Sequence, residues 1–213
     1  MQELQTILES RRDMYRLLGS LYQIEVDEAT LAQLRTIRFP DKTGCEALDC
    51  AGAALNAFVA DLKPEGLDDL AADYAATFLS AGIAEGSAAF PLESVYTSRE
   101  RLVMQDAYEQ VYRIMKAHGV TSFQEDLYPD HIGVEMTFLS YLSQKALDAL
   151  AEGRLEDAQK NLEEQKTFLE KHLLNWTTAF FDDQVKVART AFYRALAEMS
   201  RAWLEEDRDW LCG

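Results

Sequence analysis

The segment from Asp130 to Glu135 combines side chains that often do acid–base or binding chemistry. It reads Asp130-His131-Ile132-Gly133-Val134-Glu135. His131 and Glu135 are four residues apart, so on a helix they share one face and could hydrogen-bond each other. Asp130 is a favourable N-cap, since its carboxylate suits the positive end of a helix. Gly133 costs about 1 kcal/mol against alanine in a first turn, which indicates close approach by another backbone or a ligand.

A second group of aromatic and apolar residues flanks a loop that is rich in small residues. Tyr74 and Phe78 lie four apart, on one face of a predicted helix. The loop over residues 81–92 contains two glycines and ends at Phe90-Pro91-Leu92. Such residues belong either to a core or to a groove that binds an extended or helical peptide. The residues alone leave both interpretations open.

The usual catalytic and metal-binding motifs are absent from the sequence. The histidines are His118, His131 and His172, and none has a glutamate three positions before it, as di-iron helical bundles require. No Gly-rich phosphate loop, H-E-x-x-H or G-x-S-x-G motif is present. The three cysteines lack the C-x-x-C spacing of zinc sites. We therefore expect no enzyme activity, no metal and no cofactor.

The charge of the chain limits its partners. Lys and Arg total 21 against 37 Asp and Glu, which gives a formal charge of −16. Such a protein repels nucleic acid and attracts basic partners. No apolar run approaches the length of a membrane span, and the charged start MQELQTILESRRDM lacks an apolar signal core. These features predict a cytoplasmic protein that binds no nucleic acid and has no membrane span.

The elements that must position these residues are helices. Only 10 glycines and 4 prolines interrupt 213 residues, and no long alternating β pattern occurs. Apolar spacing predicts helices over 3–23, 27–37, 45–62, 67–80, 98–117, 130–151, 154–171, 173–181 and 185–208. Residues 119–129 form a predicted linker between an N-terminal helical part, 1–118, and a C-terminal helical part, 130–213. We expect an all-α fold in which the two parts form one compact unit.

Several stretches together resemble one known family. The string from Asp130 to Glu135, followed by Phe138-Leu139, is similar to the signature of the TorD/DmsD/NarJ-type chaperones, which are cytoplasmic maturation factors for molybdenum oxidoreductases. The stretch 74–78 resembles their aromatic-x-x-Leu-Phe segment, with Thr77 at the leucine position. The stretch 91–96 resembles their Pro-aromatic-x-Ser-Val-Tyr segment, with Leu92 at the aromatic position. Matches to their C-terminal helices are Gln165, Phe168-Leu169, His172-Leu173, Trp176 and Phe192-Tyr193.

The resemblance implies a fold and a function. The fold would be a TorD-like helical bundle whose N-terminal and C-terminal parts are joined by a hinge. The protein would bind the N-terminal twin-arginine leader of a molybdopterin oxidoreductase in its apo form. It would hold that precursor in the cytoplasm for cofactor insertion before export, without catalysing a reaction.

The resemblance also implies where such a leader binds. Its apolar stretch needs a groove, and its arginines need carboxylates. Asp130 is the principal candidate to contact a guanidinium or to shape the rim, and His131 would hold that carboxylate or contact the peptide. The predicted leader-binding residues are Asp130, His131, Tyr74, Phe78, Phe90, Pro91, Leu92, Ser94 and Glu135.

Two other classes of function remain open on sequence. One is a helical structural or adaptor subunit of another complex. The other is a weak nucleotide-binding enzyme with His131 as its base. The predicted hinge also permits two states of assembly, a monomer or a domain-swapped dimer.

Overall fold

The structure is a computed structural model that describes residues 2–79, 88–121 and 127–213. Within these ranges it contains ten α-helices, one 3₁₀ turn and one π-helical turn, and no strand. The α-helices are α1 (Gln2–Gln23), α2 (Glu28–Leu34), α3 (Glu46–Asp61), α4 (Leu67–Phe78), α5 (Glu93–Thr97), α6 (Asp106–Ala117), α7 (Ile132–Ala151), α8 (Leu155–Phe168), α9 (Thr177–Val187) and α10 (Ala191–Cys212). The 3₁₀ turn is Pro64–Gly66 and the π-turn is Leu169–Leu173. The predicted all-α fold is confirmed.

The chain forms two compact units. The first comprises Met1–Gln23, Pro91–Thr177 and Glu206–Gly213, and the second comprises Ile24–Phe90 and Thr178–Glu205. Residues on both sides of the predicted linker 119–129 belong to the first unit, and residues 122–126 of that linker lie outside the described residues. The predicted division of the chain at this linker stays a prediction.

Helix α7 is the central element of the first unit, as its apolar pattern predicts. Ile132, Met136 and Leu139 are completely buried on it. Helix α1 packs along α7, and α8 packs on it as well. The side chains at the start of α7 are therefore fixed by neighbours from several parts of the chain.

A buried carboxylate links two distant segments of the second unit by hydrogen bonds. Asp73 of α4 accepts hydrogen bonds from the backbone amides of Arg189 and Thr190, at 2.9 and 2.7 Å, just before α10 begins. It also accepts from the Thr190 hydroxyl at 2.6 Å. Asp73 thus satisfies two backbone amides that directly precede a helix remote in sequence.

Helix ends follow local capping rules where the sequence supplies them. The carboxylate of Asp27 accepts a hydrogen bond from the Thr30 amide at 2.7 Å, as its predicted N-cap role requires. Gly119 has a φ of 80° directly after α6, and the Val120 amide bonds to the Met115 carbonyl. That pattern is the expected glycine C-cap.

One predicted helix is wrong in its first part. The helix expected over 98–117 begins at Asp106, and a separate short helix, α5, precedes the loop. The Leu102 amide donates to the Ser98 hydroxyl at 3.0 Å, and Arg101 and Met104 have φ values of 53° and 56°. A residue with a side chain cannot continue an α-helix at a positive φ angle. The apolar periodicity of the sequence does not indicate such φ angles.

No helix within the described ranges is both long enough and apolar enough to cross a membrane.

Candidate functional site

The two segments that carry the motifs meet in the first unit. Leu92 and His131 form an isolated antiparallel β-bridge. The Ile132 amide donates to the Pro91 carbonyl at 2.9 Å, and the Glu93 amide donates to the Asp130 carbonyl at 2.9 Å. The structure thus brings together six of the nine predicted leader-binding residues, namely Pro91, Leu92, Ser94, Asp130, His131 and Glu135. All six are buried.

Asp130 is held by α5 rather than by α7. Its Oδ2 accepts a hydrogen bond from the Ser94 amide at 3.0 Å, while Oδ1 has no partner within the described residues. Burial raises the pKa of Asp130, and the hydrogen bonds from Ser94 oppose that rise. The prediction that Asp130 caps α7 is wrong, because its carboxylate is bound to the first turn of a different helix.

His131 is the actual N-cap of α7. Its Nδ1 accepts a hydrogen bond from the Gly133 amide at 3.1 Å. Burial lowers the pKa of His131 to about 4, so the ring is neutral at physiological pH and its proton lies on Nε2. His131 is only 6% exposed, so it supplies a neutral donor rather than a positive charge.

Glu135 lies one turn into α7 and is fully buried. Neither carboxylate oxygen receives a hydrogen bond from the described part of the chain, so the predicted bond between His131 and Glu135 is not formed. Burial, followed by the charges of Glu93 and Asp130, raises the pKa of Glu135 well above its ordinary range. A buried carboxyl beside two others is favoured in its neutral form.

Sequence reasoning missed three residues that adjoin this site. Glu93, at the start of α5, is 2% exposed. Its Oε2 lies 3.0 Å from His172 Nδ1, and its Oε1 accepts from Asn175 Nδ2 at 2.9 Å. Glu93 and His172 both stand inside stretches that resemble the family, but nothing in the local pattern shows that they meet.

The other three predicted leader-binding residues belong to the second unit. Tyr74 and Phe78 are 6% and 2% exposed and pack edge to face, with ring centroids 5.2 Å apart. Phe78 also lies 5.5 Å from the ring of Tyr193. Phe90 is half-buried. Residues 81–87 of the predicted loop lie outside the described residues. The role of these three residues in leader binding stays a prediction.

A surface cavity of about 740 Å³ lies elsewhere in the first unit. Its walls come from α6 and α8, and Phe138 and Leu142 of α7 also line it. None of the nine predicted leader-binding residues lines it, although His172 does. Across the described ranges, no group of three or more His, Cys, Asp or Glu residues is arranged to hold a metal ion.

Comparisons with known proteins agree on one family. The family model for the nitrate reductase delta subunit matches residues 44–182. The chaperone protein TorD of Vibrio cholerae is 28% identical over 218 residues, which cover 98% of this chain and 94% of the relative. TorD of Vibrio vulnificus is 26% identical over 220 residues and the full length of both chains. TorD of Shewanella piezotolerans is 26% identical over 222 residues, which cover 95% of this chain and 93% of the relative.

Proposed function

The chain belongs to the nitrate reductase delta subunit family of TorD-type molybdoenzyme maturation chaperones, and from that premise we propose that it binds the twin-arginine leader of a molybdenum oxidoreductase subunit. It holds the apo precursor in the cytoplasm while the molybdopterin cofactor is inserted, and then releases it for export. The chaperone names of the relatives support a role without catalysis.

The observation that carries this proposal is a buried acceptor without a donor. Asp130 Oδ1 has no hydrogen-bond partner within the described residues. Leaving a buried acceptor unpaired is costly, so a donor-rich ligand gains free energy there. An arginine guanidinium presents five N–H donors and matches a carboxylate in geometry.

Access to Asp130 sets a condition on the proposal. Asp130 is completely buried. A guanidinium therefore reaches its carboxylate only if the residues that cover it move. Alternatively, Asp130 shapes the rim through its bond to Ser94 and the arginines bind other acids of the surface. The charge of −16 speeds the encounter with a basic leader in either case.

The first test is a pull-down from anaerobically grown source cells, with mass spectrometry of the bound proteins. We expect the native protein to retain a molybdoenzyme precursor with an intact leader, and an Asp130→Ala/His131→Ala variant to lose it. Retention by the variant would keep the function and overturn this site. Capture of one unrelated protein without a leader would instead favour a structural or adaptor subunit.

The second test uses a synthetic peptide with the leader sequence of the captured client, in a calorimetric titration. A peptide whose paired arginines are changed to lysines keeps its charge but loses bidentate recognition, and we expect it to bind more weakly. The Asp130→Ala/His131→Ala variant is titrated with the same peptide. Its control for the loss of one negative charge is Glu100→Gln, which removes an exposed acid of the first unit. Tyr74, Phe78 and Phe90 are tested separately, each as its alanine variant.

A further inference from the structure

We propose that Glu93, His172 and Asn175 form a clamp that positions Asp130 for leader binding. This inference rests on the proposed function, because it assigns positioning residues to the same site. The clamp residues act through the backbone and side chain of the Asp130 segment.

The clamp pairs both oxygens of a buried carboxylate. Glu93 Oε2 lies 3.0 Å from His172 Nδ1, and Glu93 Oε1 accepts from Asn175 Nδ2 at 2.9 Å. Glu93 is 2% exposed and His172 is 4% exposed. Removing the partner of a buried carboxylate is strongly destabilising, so the position of Glu93 is fixed by these two side chains.

The π-turn and the residues directly after it supply both of these partners. The Leu174 amide bonds to the Leu169 carbonyl at 2.9 Å, five residues back, and the Trp176 indole donates to the His172 carbonyl at 2.6 Å. One extra residue in a helical turn rotates the later residues by about 100° about the axis. Such turns are rare and frequently occur at functional sites. Here the turn presents His172 to Glu93.

Two hydrogen bonds connect the start of α5, where Glu93 lies, to Asp130. The Glu93 amide donates to the Asp130 carbonyl at 2.9 Å, and the Ser94 amide donates to Asp130 Oδ2 at 3.0 Å. Both amides lie in the first turn of α5, whose first residue is Glu93. If Glu93 loses its partners, the turn that orients the Asp130 carboxylate is released. Glu93 is thus a positioning residue that need not touch the leader.

The test measures the affinity and dissociation rate of the captured client's leader peptide by surface plasmon resonance. His172→Ala leaves Glu93 Oε2 unpaired, and we expect it to weaken binding about tenfold, mainly through faster dissociation. His172→Gln can still donate a hydrogen bond to Glu93, so we expect it to restore most of the affinity. Asn175→Ala removes the other hydrogen-bond donor to Glu93 and keeps His172. This variant replaces His172→Ala in the test if His172→Ala does not fold.

A matched variant separates positioning from general loss of stability. Asp207→Asn weakens a buried ion pair with Arg11 in the same unit. All variants are measured at a temperature where they are folded. Under that condition we expect Asp207→Asn to bind the leader with native affinity. In an Asp130→Ala background, His172→Ala should cause no further loss, because the residue it positions is gone.

Three outcomes would overturn the clamp while the native protein binds the peptide. The first is native leader affinity in both His172→Ala and Asn175→Ala. The second is an Asp207→Asn variant whose leader affinity falls as much as that of His172→Ala. The third is a His172→Ala substitution that lowers leader affinity as much in the Asp130→Ala background as in the native protein. Failure of the native protein to bind the peptide would overturn the proposed function itself, and the clamp with it.

Discussion

Gly19 of α1 and Gly133 of α7 meet backbone to backbone, with no room for a side chain at either position. A Cβ atom at Gly133 would lie 2.6 Å from the Gly19 carbonyl oxygen, and one at Gly19 would lie 2.8 Å from the Gly133 carbonyl oxygen. The Gly133 carbonyl also accepts from Gln23 Nε2 at 2.7 Å. This contact lies two residues after His131, so it fixes α1 against the start of the candidate site.

The first prediction concerns Gly133→Ala. Helix propensity alone would favour alanine by about 1 kcal/mol. Because the new methyl group meets a backbone oxygen that cannot rotate away, we expect a net loss of about 2 kcal/mol in the free energy of unfolding. Urea denaturation measures it. Gly66→Ala is the control, since a Cβ there meets only the mobile end of Leu62, at 2.9 Å. Native stability in Gly133→Ala would contradict the close contact.

The close approach at Gly133 could be predicted because it breaks a local rule. A glycine in the first turn of an apolar helix has no local benefit, so its presence indicates a tertiary reason. The helices and the central place of α7 could be predicted for a related reason. Their apolar spacing is a local signal that agrees with the packing, as the complete burial of Ile132 and Leu139 shows.

The site itself could be predicted only in part. The residues of the motif string and of the stretch 91–94 can be identified locally, but their partners depend on contacts between distant segments. Asp130 has the chemistry of an N-cap, yet the Ser94 amide competes for its carboxylate, and His131 takes the cap position instead. The pairing of Glu93 with His172 joins residues 79 positions apart, which no helical period encodes.

The second prediction concerns the buried ion pair of Arg11 and Asp207. Arg11 is 2% exposed, and its Nε and Nη2 lie 2.5 and 3.0 Å from the two Asp207 oxygens. Tyr15 donates to the same carboxylate at 2.6 Å. Asp207→Ala leaves a buried guanidinium without its counter-ion, so we expect a loss of about 3 kcal/mol in the free energy of unfolding.

Denaturation with urea in low and high salt checks this second prediction. Salt screens buried pairs only weakly, so the loss should be nearly the same in both conditions. Asp209→Ala, on the exposed face of the same helix, is the matched control and should change stability by less than about 0.5 kcal/mol. Equal effects of the two substitutions would show that the pair at Asp207 contributes no more than a surface contact.

The third prediction concerns the pKa of Glu135. Burial and the nearby Glu93 and Asp130 raise that pKa well above the ordinary 4.5. The native protein therefore keeps a proton on Glu135 at pH values where the unfolded chain has lost it. By linkage, this group's contribution to stability is fully present below about pH 4.5 and declines as the pH rises towards the native pKa. Glutamine does not ionise, so Glu135→Gln removes this pH-dependent loss of stability.

We expect the free energy of unfolding of Glu135→Gln, relative to the native protein, to increase as the pH rises above the ordinary glutamate pKa of 4.5. Urea denaturation at several pH values above 4.5 measures the difference. Asp130→Asn should change stability in the same direction, because burial also raises the pKa of Asp130 above its ordinary 3.8. A difference between Glu135→Gln and the native protein that stays constant with pH would mean that Glu135 ionises as readily in the folded as in the unfolded chain. Water would then reach the buried carboxyl group of Glu135, contrary to its complete burial in the structure.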